Sequence, residues 1–159
     1  MRGLFRRNAG VLSSDIRIHD QVSFYKAFEK DLLLAQNEVI IESPFITTKR
    51  INALLPIFTK LLNRGVSITI NTRDPSEHDM EYEYQASDAI VTLQLIGVKV
   101  LYTVKHHRKL AIIDKTFVWN GSLNILSQND SCEIMWRVDS PDAANRLLGF
   151  INVKRYTRR

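Results

Sequence analysis

Cysteine is almost missing from this chain. Cys132 is the single one in 159 residues, so no intrachain disulfide can form and a reducing compartment, the cytoplasm, is expected. Long apolar runs are missing too: no stretch approaches the ~20 apolar residues of a membrane span. The opening Met-Arg-Gly-Leu-Phe-Arg-Arg lacks the apolar stretch of a secretory signal, and no membrane partner is expected. Repeats and linker-like tracts are absent, so residues 15–153 are expected to form one domain between a basic tail at 1–14 and another at 154–159. Acidic residues are missing from both tails, which hold seven of the 22 Lys and Arg. The remaining 15 basic and 17 acidic residues leave the body at −2, although the whole chain carries +5. Basic tails fit phosphate-backbone binding; they fit a solubilising end, or a cut in a longer protein, equally well. The 45% hydrophobic and 25% charged composition is that of an ordinary globular domain.

What is present is concentrated between residues 107 and 124. His107-Arg-Lys109-Leu-Ala-Ile-Ile-Asp114 is followed by six residues and then Gly121-Ser122-Leu-Asn124. Leu110 to Ile113 and Thr116 to Trp119 are apolar enough for two buried strands, with Asp114-Lys115 as the hairpin turn between them. In an extended chain, positions two apart share a face, so His107 is expected beside Lys109 and Ser122 beside Asn124, with the hairpin folding the two pairs together. Asp114 sits at an odd offset from His107, and a supporting role in fixing the turn is expected for it. An imidazole, a cation and a hydroxyl/amide pair are the inventory needed to attack and hold a phosphodiester. The plainer alternative is a hairpin with a solvated basic edge, Lys105-His106-His107-Arg108-Lys109.

The window resembles the signature of the phospholipase D superfamily, His-x-Lys-x4-Asp-x6-Gly-Ser-x-Asn, at every fixed position. The resemblance implies a two-step reaction: one histidine attacks phosphorus to form a phosphohistidine, and a second protonates the leaving oxygen. Only His107, of the four histidines His19, His78, His106 and His107, lies in the motif. Single-motif members resemble half of the two-motif enzymes and form homodimers, so a homodimer through the motif face is implied. In it His107 is the nucleophile in one subunit and the acid/base in the other. Lys109 would neutralise the non-bridging oxygens, and Ser122 and Asn124 would donate hydrogen bonds to them. No metal or other cofactor is then needed. Glu133 stands where family members often carry a carboxylate that holds the nucleophilic ring, although a solvated strand-end glutamate fits its position as well. Lys105, Arg108 and Arg73 are the candidate phosphate contacts, with Gly121 completing the substrate-binding set. Arg73 reads equally as a turn arginine paired with Asp74 or Glu77. His106 is expected on the opposite strand face. His78, among acidic neighbours, reads as a turn residue before it reads as a metal ligand.

The coarse pattern predicts an α/β domain, a mixed β-sheet with helices on both faces. Helices are expected over 21–35, 49–64, 84–96 and 141–153, and strands over 38–46, 66–71 and 98–102, then the hairpin and a strand from Glu133. This order resembles the single-motif domain of the superfamily over most of 15–153, closest to bacterial nuclease-like modules, including those attached to helicase proteins. The expected function is a metal-independent endonuclease acting as a dimer, with nucleic acid, DNA before RNA, as partner. A phospholipid phosphodiesterase, and a non-catalytic nucleic-acid-binding module of a helicase-type parent protein, are the alternatives.

Overall fold

A computed structural model describes residues 15–127 and 130–151; both basic tails lie outside the described residues. Seven strands form one mixed sheet in the order β1-β7-β6-β5-β2-β3-β4. They are β1 (Asp15–Asp20), β2 (Glu38–Glu42), β3 (Ser67–Thr72), β4 (Lys99–Tyr102), β5 (Leu110–Ile113), β6 (Phe117–Gly121) and β7 (Ile134–Asp139). The helices are α1 (Phe24–Leu34), α2 (Thr48–Asn63), α3 (Met80–Leu95) and α4 (Pro141–Ile151). β2, β3 and β4 are parallel, joined through α2 and α3, as parallel neighbours require long crossovers. All other pairings are antiparallel.

Strand alternation explains the two cores. Val39, Ile41, Ile68, Ile70, Ala111, Ile113 and Trp119 meet Phe24 and Phe28 of α1, Ile51, Leu54 and Phe58 of α2 and Leu93 of α3. The intervening Ile40, Leu110, Ile112 and Val118 meet Ala144 and Ile151 of α4 on the opposite face. The sheet is therefore flanked by helices on both sides, as the alternating pattern predicts. The indole N–H of Trp119 donates to the buried Asp31 carboxylate (2.9 Å), which also accepts from Arg137 (2.6 and 3.1 Å).

Four local expectations are corrected. β1 is a strand the pattern did not predict; it is an edge strand with Ile16, Ile18 and Arg17 all exposed, so burial never imposes a readable period. α3 begins at Met80, not Tyr84, because the Asp79 side chain caps it by accepting from the Tyr82 amide (3.1 Å). The strand expected through Glu133 starts at Ile134, and β5 starts only at Leu110, which leaves 103–109 irregular.

Candidate active site

The β5–β6 hairpin turns at Asp114 and Lys115, both in the left-handed region with φ of 51°, within the three-residue connection between the paired Ile113 and Phe117. The Asp114 carboxylate accepts three backbone N–H bonds, from Gln36 (2.8 Å), Asn37 (2.8 Å) and Glu38 (3.0 Å). It thereby ties the hairpin tip to the α1–β2 junction. The four residues of β5 separate this turn from the polar groups at the other end by about 13 Å, at ~3.3 Å per residue.

At that other end β6 finishes with Gly121, paired with Met135 of β7. A Cβ there would lie 2.0 Å from the Ile134 carbonyl oxygen and 2.8 Å from the Met135 Cα, so no side chain fits. Ser122 continues the ladder: its amide donates to Ile134 O (3.0 Å) and its Oγ accepts from the Ile134 amide (3.1 Å). Leu123, Ile125 and Leu126 are buried and anchor the turn that carries the half-buried Asn124.

His107 and Lys109 come together, but not by strand alternation, since both lie in the irregular segment before β5. The Lys109 ammonium folds back on its neighbour, donating to the His107 carbonyl (3.0 Å) and lying 3.3 Å from His107 Nδ1. Partial burial pulls the Lys109 ammonium below the usual lysine value, and the Glu133 carboxylate opposes the shift. Glu133 in turn is held below the usual carboxylate range by the hydroxyls of Ser122 and Ser131 and by Lys109. Among the described residues no hydrogen bond joins Glu133 to the His107 ring; its carboxylate accepts from Ser131 Oγ instead.

The segment 103–109 is pinned from below by a buried polar network. His106, 2% exposed, accepts the Arg108 amide at Nδ1 (3.2 Å), so its proton resides on Nε2, which faces Asn71 O (3.1 Å) and Glu42 Oε2 (3.2 Å). Burial lowers its pKa despite Glu42, and this bonding pattern is that of a neutral ring. The fully buried Glu42 carboxylate accepts from Arg108 Nε (2.7 Å) and Asn71 Nδ2 (3.0 Å), while Thr103 Oγ1 donates to Asn71 Oδ1 (3.0 Å). Arg73 donates to the His106 carbonyl through Nε (3.2 Å) and Nη2 (2.9 Å). The Lys105 amide, at a φ of 54°, donates to Glu77 (3.0 Å).

The family model described as "Cardiolipin synthase, PLD-like domain" matches residues 29–152. The chain belongs to the phospholipase D-like family. The PLD-like domain is structurally similar to the phospholipase D family member Nuc from Salmonella typhimurium, with a TM-score of 0.69 at 15% identity over 86% of this chain and 91% of that one. It is similar to NucT from Helicobacter pylori at a TM-score of 0.66 and 17% identity, over 86% and 93% of the two chains. The archaeal chromatin protein TrmBL2, whose structure is described as showing a novel mode of DNA binding, matches at 0.62 and 15% identity, over 93% of this chain and 54% of its own. Among curated protein sequences none matches.

Of the residues singled out in the sequence, the PLD-like domain gathers His107, Lys109, Ser122, Asn124 and Glu133 at one end of the hairpin. Asp114 is at the other end, where it staples the fold. Arg73 and Arg108 hold the loop through His106 and Glu42, although the Arg108 side chain stays 40% exposed. Gly121 serves the close approach of β7. His106 is not a strand residue but a buried post beneath His107. The residues that sequence reasoning missed are Glu42, Asn71 and His106. The signal for the first two was a carboxylate and an amide ending otherwise apolar strands, Val-Ile-Ile-Glu42 and Ile-Thr-Ile-Asn71. His78 packs against Phe45 (5.1 Å) and Tyr82 (6.2 Å), and burial lowers its pKa. Among the described residues no three His, Cys, Asp or Glu converge as metal ligands, and no helix is long and apolar enough to cross a membrane.

Proposed function

We propose that this PLD-like domain is a phosphodiesterase that cleaves DNA without a metal ion, through a phosphohistidine, at a site completed by a second copy of the chain. The observation that carries this reading is the isolation of His107 on the motif rim. His106 is buried and neutral, His19 packs on Trp119 (5.2 Å) and His78 on Phe45, so the second acid/base has no source in the same chain. A surface for a second copy adjoins the motif. Ile16 and Ile18 of β1 stand across from Val138 and Trp136 of β7, on the sheet face that α4 covers elsewhere. There Ile16 (52%), Ile18 (58%), Ile134 (49%) and Trp136 (44%) are exposed, and Ile134 bonds Ser122. Such a contiguous apolar patch suits a protein interface.

In this reading His107 attacks phosphorus, the P–N bond forms as the P–O bond breaks, and the partner's His107 gives its proton to the leaving oxygen. Water then attacks the phosphohistidine, the partner's His107 takes the water proton, and the P–N bond breaks. Attack through Nε2 requires the ring proton on Nδ1 and an acceptor for it. Lys109 blocks that nitrogen in the free chain; a phosphate that draws the ammonium to its own oxygens releases Nδ1, and Glu133 is the carboxylate to receive the bond.

The test is incubation of wild type and His107→Ala with labelled single- and double-stranded DNA and RNA in excess EDTA. Cleavage by wild type alone supports the reading; binding without cleavage would favour the non-catalytic module, for which the TrmBL2 likeness speaks. A phospholipid substrate is the second reading. It rests on the description of the matching family model and on Val104, 75% exposed beside Lys105, and headgroup release from cardiolipin vesicles would establish it.

A further inference from the structure

Beside the motif the surface opens into a cleft of about 560 Å³, a size suited to a small organic ligand. Its walls are Gln21 and Tyr25 before and within α1, Arg50 of α2, and Asn124, Ser127 and Glu133 around the motif turn. The Arg50 guanidinium lies 3.4 Å over the Tyr25 ring, a fixed cation on an aromatic face. Burial pushes the Tyr25 hydroxyl up to about 12, so it stays a donor, bonded to Ile125 O (3.0 Å) and Ser127 O (3.4 Å).

Among the described residues two buried polar atoms in this wall have no hydrogen-bond partner, Asn124 Oδ1 and Ser127 Oγ, and Ser127 is only 4% exposed. Buried polar groups are nearly always satisfied, so an orphaned pair just behind the wall of an open cleft, reached by a turn of the Asn124 and Ser127 side chains, points to a ligand. The lining also says which kind. Amides, hydroxyls and the flat guanidinium of Arg50 stacked on Tyr25 line it, while the carboxylates of Asp130 and Glu133 oppose a second phosphate. A planar group with both donors and acceptors on its edge fits, and Asn124 ties the cleft to the motif. We infer that the cleft binds the nucleoside attached to the scissile phosphate, its base bonded by Asn124 Oδ1 and Ser127 Oγ. This rests on the phosphodiesterase reading and names the part of the substrate that a bare phosphodiester lacks.

The only cysteine of the chain provides an occupancy probe, because Cys132 is exposed on the rim of the same cleft. Alkylation of Cys132 by N-ethylmaleimide should slow in the presence of a deoxynucleoside 5′-monophosphate and not in the presence of inorganic phosphate. In parallel, Ser127→Ala should lower the ratio of kcat/KM for a dinucleotide over kcat/KM for bis(p-nitrophenyl) phosphate about fivefold to tenfold, the effect of one hydrogen bond to a neutral group. Equal protection by inorganic phosphate, no protection by the nucleotide, or an equal fall for both substrates would overturn the assignment. If wild type leaves bis(p-nitrophenyl) phosphate intact while the nucleotide still protects Cys132, the phosphodiesterase reading fails and the nucleoside cleft stands.

Discussion

Asp114 belongs to the motif by spacing and to the scaffold by position, and replacing it separates the two. Asp114→Ala removes the acceptor for three backbone amides. Those of Gln36 and Asn37 lie on exposed residues, where water substitutes, so each contributes about 0.5 kcal/mol; that of Glu38 is part-buried and contributes about 1.5 kcal/mol with a charged acceptor. Alanine in the left-handed region, at the φ of 51° found here, adds about 1 kcal/mol. The expected loss is then about 3.5 kcal/mol, or roughly 10 °C in melting temperature for a domain of this size. Asparagine tolerates the left-handed region and keeps one carbonyl acceptor, so Asp114→Asn should lose only about 1 kcal/mol, roughly 3 °C. Calorimetry gives the melting temperatures, and kcat/KM at 20 °C on folded protein gives the chemistry. Both variants should keep kcat/KM within a few-fold of wild type. An Asp114→Asn protein that melts within 3 °C of wild type yet loses a hundredfold in kcat/KM would place Asp114 in the chemistry and refute the reasoning.

Gly121→Ala puts a Cβ 2.0 Å from Ile134 O, so β6 and β7 must part; a destabilisation of about 3 kcal/mol, or insoluble protein, is expected in denaturant titration. Stability should also fall in acid through His106. Its folded pKa is lowered, so the unfolded chain binds the extra proton first, and stability present above about 6.5 is lost as pH falls below it. Urea midpoints measured from pH 7.5 to pH 5 should show this slope in wild type and a shallower one in His106→Gln. Ile18→Glu with Trp136→Glu should convert a dimer to a monomer in sedimentation and abolish cleavage together; an active monomer would contradict the shared site. His107→Ala should lose about a thousandfold or more in activity, with a melting temperature within 2 °C of wild type, because the side chain is exposed.

Elements with a buried face were legible. α2 carries Ile51, Leu54, Phe58 and Leu61 inward at helical spacing, and the hairpin announces itself by two apolar runs around Asp114-Lys115. β1 was not legible because an edge strand with two exposed isoleucines buries nothing that would fix a period. The candidate chemistry-bearing residues lie within one short window, so a linear pattern finds them. Their support does not: Glu42 and Arg108 stand 66 positions apart, and Asn71 and Glu42 are 29 apart. Only the pairing of β2 with β3 and of β2 with β5 brings these groups under His107. Alternation predicted the meeting of His107 with Lys109 for the wrong reason; the segment is irregular, and a lysine folding back on the preceding carbonyl makes the contact.

The network beneath the motif bears on how the site breathes. The amides of Thr103, Lys105, His106 and Arg108 each find an acceptor inside the protein, on Thr72 O, Glu77 Oε2, Thr103 O and His106 Nδ1. The first two acceptors lie elsewhere in the fold and the last two in the segment itself, where Asn71 fixes the His106 ring and Arg73 its carbonyl, so the segment cannot fray one bond at a time from an end. Its amide protons should exchange with solvent together, at a rate set by the opening of the sheet below, and a loop without regular structure should keep its hydrogens like a strand.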